Sequence, residues 1–365
     1  MSATEAMDID QSASAEQPTN EATTATTNDE NDDEEDISDL TALFESISPS
    51  TSAPTDQIQI YTSILTEPSS RYGPKATTIK ERSIYSLARA YCNSNQFQSI
   101  PTLLTGPTCS PFFSNVTKAK CAKVVRAVLE IICSLAPQEL DMQEAICNSI
   151  LSWTEREKRT FLKQRVQAKL AMVLFMQSKY AAALELVNGL LSELKKIDDK
   201  QLLVETHLVE SKIHHALRNL AKSKAALTAS RTAANAIYVS PGMQSTIDEM
   251  SGVLHCEEGD YNTAHSYFLE AFEQLDTLEG NAEKKKSSGG GGDASTTAAT
   301  SGNGEGSNAL KCLKYMMLCK ILDNLTKALK LSARGGVGKF HKLLMIYTSI
   351  KRSRLYLNFY FSNHH

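Results

Sequence analysis

Residues 251–276, SGVLHCEEGDYNTAHSYFLEAFEQLD, bring His255, Cys256 and His265 close to the carboxylates of Glu257, Glu258 and Asp260. Imidazole, thiolate and carboxylate are the ligands of zinc, and a histidine beside a carboxylate is the usual acid–base pair. The spacing fits neither. His255 and His265 are ten residues apart, on two different helices of one expected hairpin, and Cys256 points about 100° away from His255 around its helix. A structural zinc site takes four ligands, and two histidines on one helix reach one metal at i, i+4. His207, His214 and His215 share one expected helix, but no carboxylate partner is forced on them. GGVGK, residues 335–339, resembles a phosphate loop, yet Ala333 stands where that motif needs glycine and Phe340 where it needs a hydroxyl, and no strand precedes it. The sequence contains no GxSxG, HExxH, EF-hand or Cys/His nucleophile pattern. The expectation is a chain with no catalytic residues, no cofactor and no metal.

The surrounding elements give these residues a plainer role. Residues 1–57 hold fifteen Asp or Glu and no Lys or Arg, with the run NDENDDEED at 28–36. So little apolar surface cannot offset the entropy of ordering, so a disordered acidic tail is expected. The remainder then carries 38 basic against 27 acidic residues, a net charge of about +11 that the formal −4 conceals. These charges are scattered, without the interleaved aromatics of a single-strand reader, so nucleic acid is not the expected partner. No CxxC occurs among the eight cysteines, and most lie among Ala, Ile, Leu and Val, as in VLEIICSLA. They read as free, buried thiols of a reducing compartment. The N-terminus lacks the character of a signal peptide, and no run of about 18 apolar residues could span a bilayer. A soluble, intracellular chain with no membrane partner is expected.

LTALFESI, residues 40–47, is a short apolar patch expected to form a transient helix, and Pro49, Pro54, Pro68 and Pro74 predict that the following stretch is loop-rich. From about Ile79 to Asp276 the apolar spacing is that of amphipathic helices almost without pause, and no alternation of period two appears. Residues 279–308 are Gly/Ser-rich and predict a flexible loop. A helical stretch at 309–331 follows, and 332–365 is basic and aromatic without a period.

A long helical region is first tested for repeats. Gly252, His255, Gly259, Tyr261, Ala264, Phe268 and Ala271 fall at the spacing of a tetratricopeptide helical hairpin. Gly252 and Ala264 are small where two helices would cross closely, Tyr261 and Phe268 fill the space beside the crossing, and Gly259 occupies the turn. The frame recurs with Leu170, Ala171, Leu174, Tyr180, Ala183 and Val187, and upstream with Leu87, Ala88, Tyr91 and Phe97. It recurs more weakly around Leu220 and Leu227, and a further unit fits 118–151 with the turn APQEL. Anchors at Phe97, Leu140, Tyr180, Leu220 and Tyr261 lie 40 to 43 residues apart. The prediction is an all-α, right-handed superhelical solenoid over 58–278, with His255 at the inner position of Tyr91 and Leu174. Trp153 reads as a hairpin packing residue, and Glu155 to Arg159 as a mixed solvated face.

SWTEREKRTFLKQRVQAKL, the stretch from LLSELKKIDDKQLLVE to TASRTAANAIY, AHSYFLEAFEQLD and LKYMMLCKIL resemble the non-ATPase regulatory subunit 11 family of the proteasome lid. The resemblance runs from about residue 79 to Leu322 and is strongest over 152–275. It implies a non-catalytic scaffold: a helical-repeat solenoid leading into a PCI module, with other lid subunits, the ATPase ring and core α-subunits as partners. Cytoplasm and nucleus are the implied locations. ELKKIDDKQLLVE favours this family over the signalosome's paralogous subunit. The loop 279–308 stands where the family has a short turn, and 309–331 reads as the helical start of the PCI region. The resemblance stops at Asp323, so the tail 332–365 departs from the family, as a translated intron, a shifted frame or a short isoform would. A generic tetratricopeptide adaptor with a peptide in its groove and a nucleic-acid binder are the readings from other classes.

Overall fold

The computed structural model describes residue 44 and residues 54–66, 74–287 and 308–335. Among these, every regular element is an α-helix. The chain opens with α1 (Pro54–Thr66), α2 (Pro74–Asn93), α3 (Ser99–Thr105), α4 (Ser110–Asn115), α5 (Lys118–Leu135) and α6 (Leu140–Arg156). It continues through α7 (Thr160–Met176), α8 (Tyr180–Ile197), α9 (Lys200–Ala216) and α10 (Leu220–Asn235). The described region ends with α11 (Pro241–Glu258), α12 (Tyr261–Ser287) and α13 (Asn308–Gly335). Most helices pack on those adjacent in sequence, which makes the fold an all-α helical solenoid.

One turn recurs along it. The amides of Gln96, Lys179, Asn219 and Asp260 donate to the carbonyls of Tyr91, Leu174, His214 and His255 at 2.9–3.0 Å. In each case the residue before the donor is left-handed: Asn95, Ser178, Arg218 and Gly259, with φ of 56°, 62°, 61° and 87°. This six-to-one closure satisfies a carbonyl that the helix end would leave unpaired, and it turns the chain sharply into the next helix. Three of these four turns use a residue other than glycine, so the closure tolerates the Cβ at some conformational cost. The turn after α5 differs: at the equivalent step the Glu139 amide donates to the Ala136 carbonyl, three residues back, at 3.3 Å. Gln143 Nε2 also donates to the Ala136 carbonyl, at 2.7 Å.

Caps mark several helix starts. Asp199 accepts from the Leu202 amide at 3.1 Å, Asn219 from Lys222 at 3.2 Å and Asp260 from Thr263 at 3.2 Å. The core follows the array. A connected set of buried apolar side chains runs from Tyr61 in α1 to Ile213 in α9. Beyond it lie three smaller patches, around Ile247, around Phe268 and Tyr315, and around Ala271 and Cys312.

Three expectations change. The stretch after the acidic tail is not loop throughout, because Pro54 and Pro74 each begin a helix, where a fixed φ and a missing N–H cost nothing. Residue 57, the expected tail boundary, lies inside α1. The loop expected from 279 begins later, since α12 runs to Ser287 through Glu, Ala and Lys of high helix propensity. The rest of that loop, most of the acidic tail and all but the start of 332–365 lie outside the described residues.

Candidate interaction surface

The residues that suggested chemistry at 251–276 are held apart by separate partners. His255, half-buried near the end of α11, stacks on Tyr267 of α12 with ring centroids 5.4 Å apart and 19° between planes. Its Nδ1 lies 3.9 Å from Asp260. The Arg231 guanidinium of α10 sits 4.5 Å above the Tyr267 ring and donates to its hydroxyl at 3.1 Å. Arg231 also reaches the buried Asp248, at 3.7 Å. Burial pushes the Asp248 carboxyl up from its ordinary range, against hydrogen bonds from Gln244 and Gln274 and the charge of Arg231. Cys256 instead interacts with Cys319 of α13, thiol to thiol, with no disulfide between them. Among the described residues no group of three or more His, Cys, Asp and Glu is disposed to hold a metal ion.

The repeat-frame residues are set as follows. A Cβ on Gly252 would meet the Phe268 ring at 2.8 Å, so this glycine is the seat of that ring. Ala264, Phe268 and Ala271 are fully buried, Tyr261 nearly so, and Gly259 caps α11 with its left-handed φ. Leu87, Ala88, Leu170, Ala171, Ala183 and Val187 are buried. Tyr91, Phe97 and Tyr180 are half-buried against the core. Tyr91, Leu174 and His255 occupy the same step of the recurring turn, but Leu174 is buried while the other two are half-exposed. Trp153 is buried, with Phe113 at 5.7 Å and the Arg159 guanidinium 4.9 Å from its ring. Arg159 therefore folds back from the solvated face on which it was expected, because its planar cation packs on the indole.

A groove of about 620 Å³ is lined by α5, α7, α9 and α11. These are the first helices of successive hairpins, so equivalent positions line up on one face. Arg126 of α5, Arg165 and Lys169 of α7 and Lys212 of α9 supply four cations, and Glu130 and Glu205 supply two carboxylates. Leu162, Val166, Met172 and Leu208 give it apolar walls. Burial raises the Glu205 pKa, opposed by the positive charges of Arg165, Arg126 and Lys169. Burial lowers that of Lys212, opposed by Glu249. The result is a half-apolar trough of net positive charge, suited to an anionic chain segment. Sequence reading treated these charges as scattered. The signal that exposes them is the repeat itself, since Arg126, Arg165 and Glu205 are about 40 residues apart.

Residues 41–178 match the family described as 26S proteasome regulatory subunit RPN6 N-terminal domain. The 26S proteasome non-ATPase regulatory subunit 11 homolog of Arabidopsis thaliana is 43% identical over 282 residues, 77% of this chain and 60% of that protein. Residues 41–178 belong to that family. The Dictyostelium discoideum 26S proteasome non-ATPase regulatory subunit 11 is 39% identical over 78% of this chain and 61% of its own length. Saccharomyces cerevisiae 26S proteasome regulatory subunit RPN6 is 37% identical over 74% and 59%. The chain thus spans about three fifths of the length of these family members. The matched N-terminal domain takes in α1 to α7, including the α5 and α7 sides of the groove.

Proposed function

We propose that the chain is a non-catalytic scaffold subunit of the proteasome regulatory-particle lid, linking lid and ATPase ring to the core particle in ubiquitin-dependent protein degradation. The observation that carries this reading is the identity of 43% over 77% of the chain to a proteasome regulatory subunit. The fold supports it in physical terms. An array whose helices pack on their neighbours offers a long surface at modest chain length, which is what a multi-contact scaffold needs. Polar residues contribute to this packing, as in the stack of His255, Tyr267 and Arg231.

On this reading the partners are other lid subunits, the ATPase ring and core α-subunits, in the cytoplasm and nucleus. Linked contacts multiply through effective concentration, so each interface can be weak while the whole is held. On α13, Leu310, Met317 and Ile321 are exposed, an apolar face at the end of the described array. The test is to express the tagged chain in eukaryotic cells, sediment the lysate under gentle salt, and identify its companions by mass spectrometry. Lid and core subunits in the same fractions are the expected result. A chain found only with chaperones, only with RNA, or alone would overturn the proposal.

A further inference from the structure

We propose that the basic groove across α5, α7 and α9 is a receptor for an acidic segment, and that its occupant is this chain's own run at residues 28–36. Charge is the first argument. Four basic side chains line the groove against two carboxylates, and burial disfavours the charged form of one of the four, Lys212, as it does that of Glu205. Of the four, Arg165 alone has an ion pair within 4 Å among the described residues, to Asp199 at 3.7 Å. Glu205 lies amid Arg126, Arg165 and Lys169, and its burial favours the neutral form, which leaves those cations less compensated. The run NDENDDEED carries seven carboxylates in nine residues and no base.

Reach is the second argument. The Phe44 ring lies 5.9 Å from Tyr61 of α1, which fixes where the tail leaves the array. Helix α1 packs on α2, and α2 on α5. At 8–10 Å between neighbouring axes, α5 is about 20 Å from α1. Residues 37–43, fully extended, span about 23 Å, enough to bring Asp36 to Arg126. The nine residues of the run then extend for about 30 Å, and the two further steps to α7 and α9 need about 20 Å. Each solvent-facing ion pair is weak and salt-screened, but the tether supplies a high local concentration of the run.

The test uses a fluorescein-labelled peptide of residues 26–40 and the full chain. Its anisotropy is measured at low salt with the unaltered chain and with a chain whose seven carboxylates in 28–36 are changed to Asn or Gln. The peptide should bind the neutral-tail chain at least tenfold more tightly, because the competing run is gone. Adding Arg126→Gln and Lys169→Gln should abolish that binding, while Lys224→Gln with Lys196→Gln, away from the groove, should leave it. Circular dichroism checks that each variant keeps its helices. No binding to the neutral-tail chain would overturn the receptor. Equal binding to both chains would overturn the intramolecular occupant, and equal loss from the distant lysines would overturn the groove as the place. None of these outcomes depends on membership of the proteasome.

Discussion

From Tyr61 to Ile213 the buried apolar side chains form one connected core, whereas from Val204 onward they divide into separate patches. The division coincides with a change of material. Between α9 and α10, Ser211 Oγ donates to the Ser223 carbonyl and Ser223 Oγ to the Ser211 carbonyl, both at 2.9 Å. Ser230 Oγ donates to the Val204 carbonyl at 3.0 Å, and Asp248 is held by Gln244, Gln274 and Arg231. Small hydroxyls let helices approach closely, and each hydroxyl is satisfied, but they remove less apolar surface from water than Leu or Ile would. The first region is therefore held chiefly by area, the second by closeness and polar satisfaction. Local opening free energies should follow the same division.

The sharpest test pairs one fully buried isoleucine from each region. Ile84→Ala should cost about 2–5 kcal/mol through lost transfer energy and a cavity. It should lower hydrogen-exchange protection throughout α2 to α8. Ile247→Ala, in the patch beside α10, should lower protection in α9 to α12 and leave α2 to α6 unchanged. Uniform loss from both variants would erase the distinction between the two regions.

Gly252→Ala should destabilise by about 1–3 kcal/mol, because the new methyl meets the Phe268 ring at 2.8 Å. Phe268→Leu in the same chain should recover part of that loss, read as a coupling energy from urea melts of the double-mutant cycle. Additive losses would show that the ring does not seat on this glycine.

Glu205 gives a pH test at the border of the regions. Its folded pKa is raised by burial, so between the unfolded value and the folded one the native state holds the extra proton. Stability from this group is full below the ordinary glutamate range, about pH 4, and declines as pH rises through the folded pKa. Glu205→Gln should raise the melting temperature at pH 7 and converge on the parent at pH 4. A drop at pH 7 would mean that the surrounding Arg126, Arg165 and Lys169 outweigh desolvation.

The smallest effect expected is at a turn. Lys158 is left-handed, with φ of 52°. Lys158→Gly should stabilise by up to about 1 kcal/mol, the relief of Cβ strain less the extra freedom of the unfolded chain. Thermal melts that show a loss would point to a role for the lysine beyond the turn.

Much of the array was legible because steric demands leave few residue types. A close helix crossing needs Gly252 and Ala264, and the ring beside it needs the volume of Phe268. The anchors at Leu140, Tyr180, Leu220 and Tyr261 are the first residues of α6, α8, α10 and α12. Prolines misled, since Pro54 and Pro74 read as breakers unless they stand at a first helical position. The union of Arg231, His255 and Tyr267 was illegible for another reason. The three come from three helices, and no periodicity ties a cation at 231 to a ring at 267. Arg159 was misplaced because a charged run looks solvated until an indole is brought beneath it.

The recurring turn closes through main-chain atoms, with Asn95, Ser178, Arg218 or Gly259 at the same step. The angle between successive helices is thus carried by the backbone, and the residue at the hinge can vary without changing it. Because most of the extensive packing is between helices adjacent in sequence, small rotations at one turn are only weakly resisted by distant parts of the chain. They add along the array. Such an object behaves as a shallow spring, stiff within each hairpin and compliant from end to end.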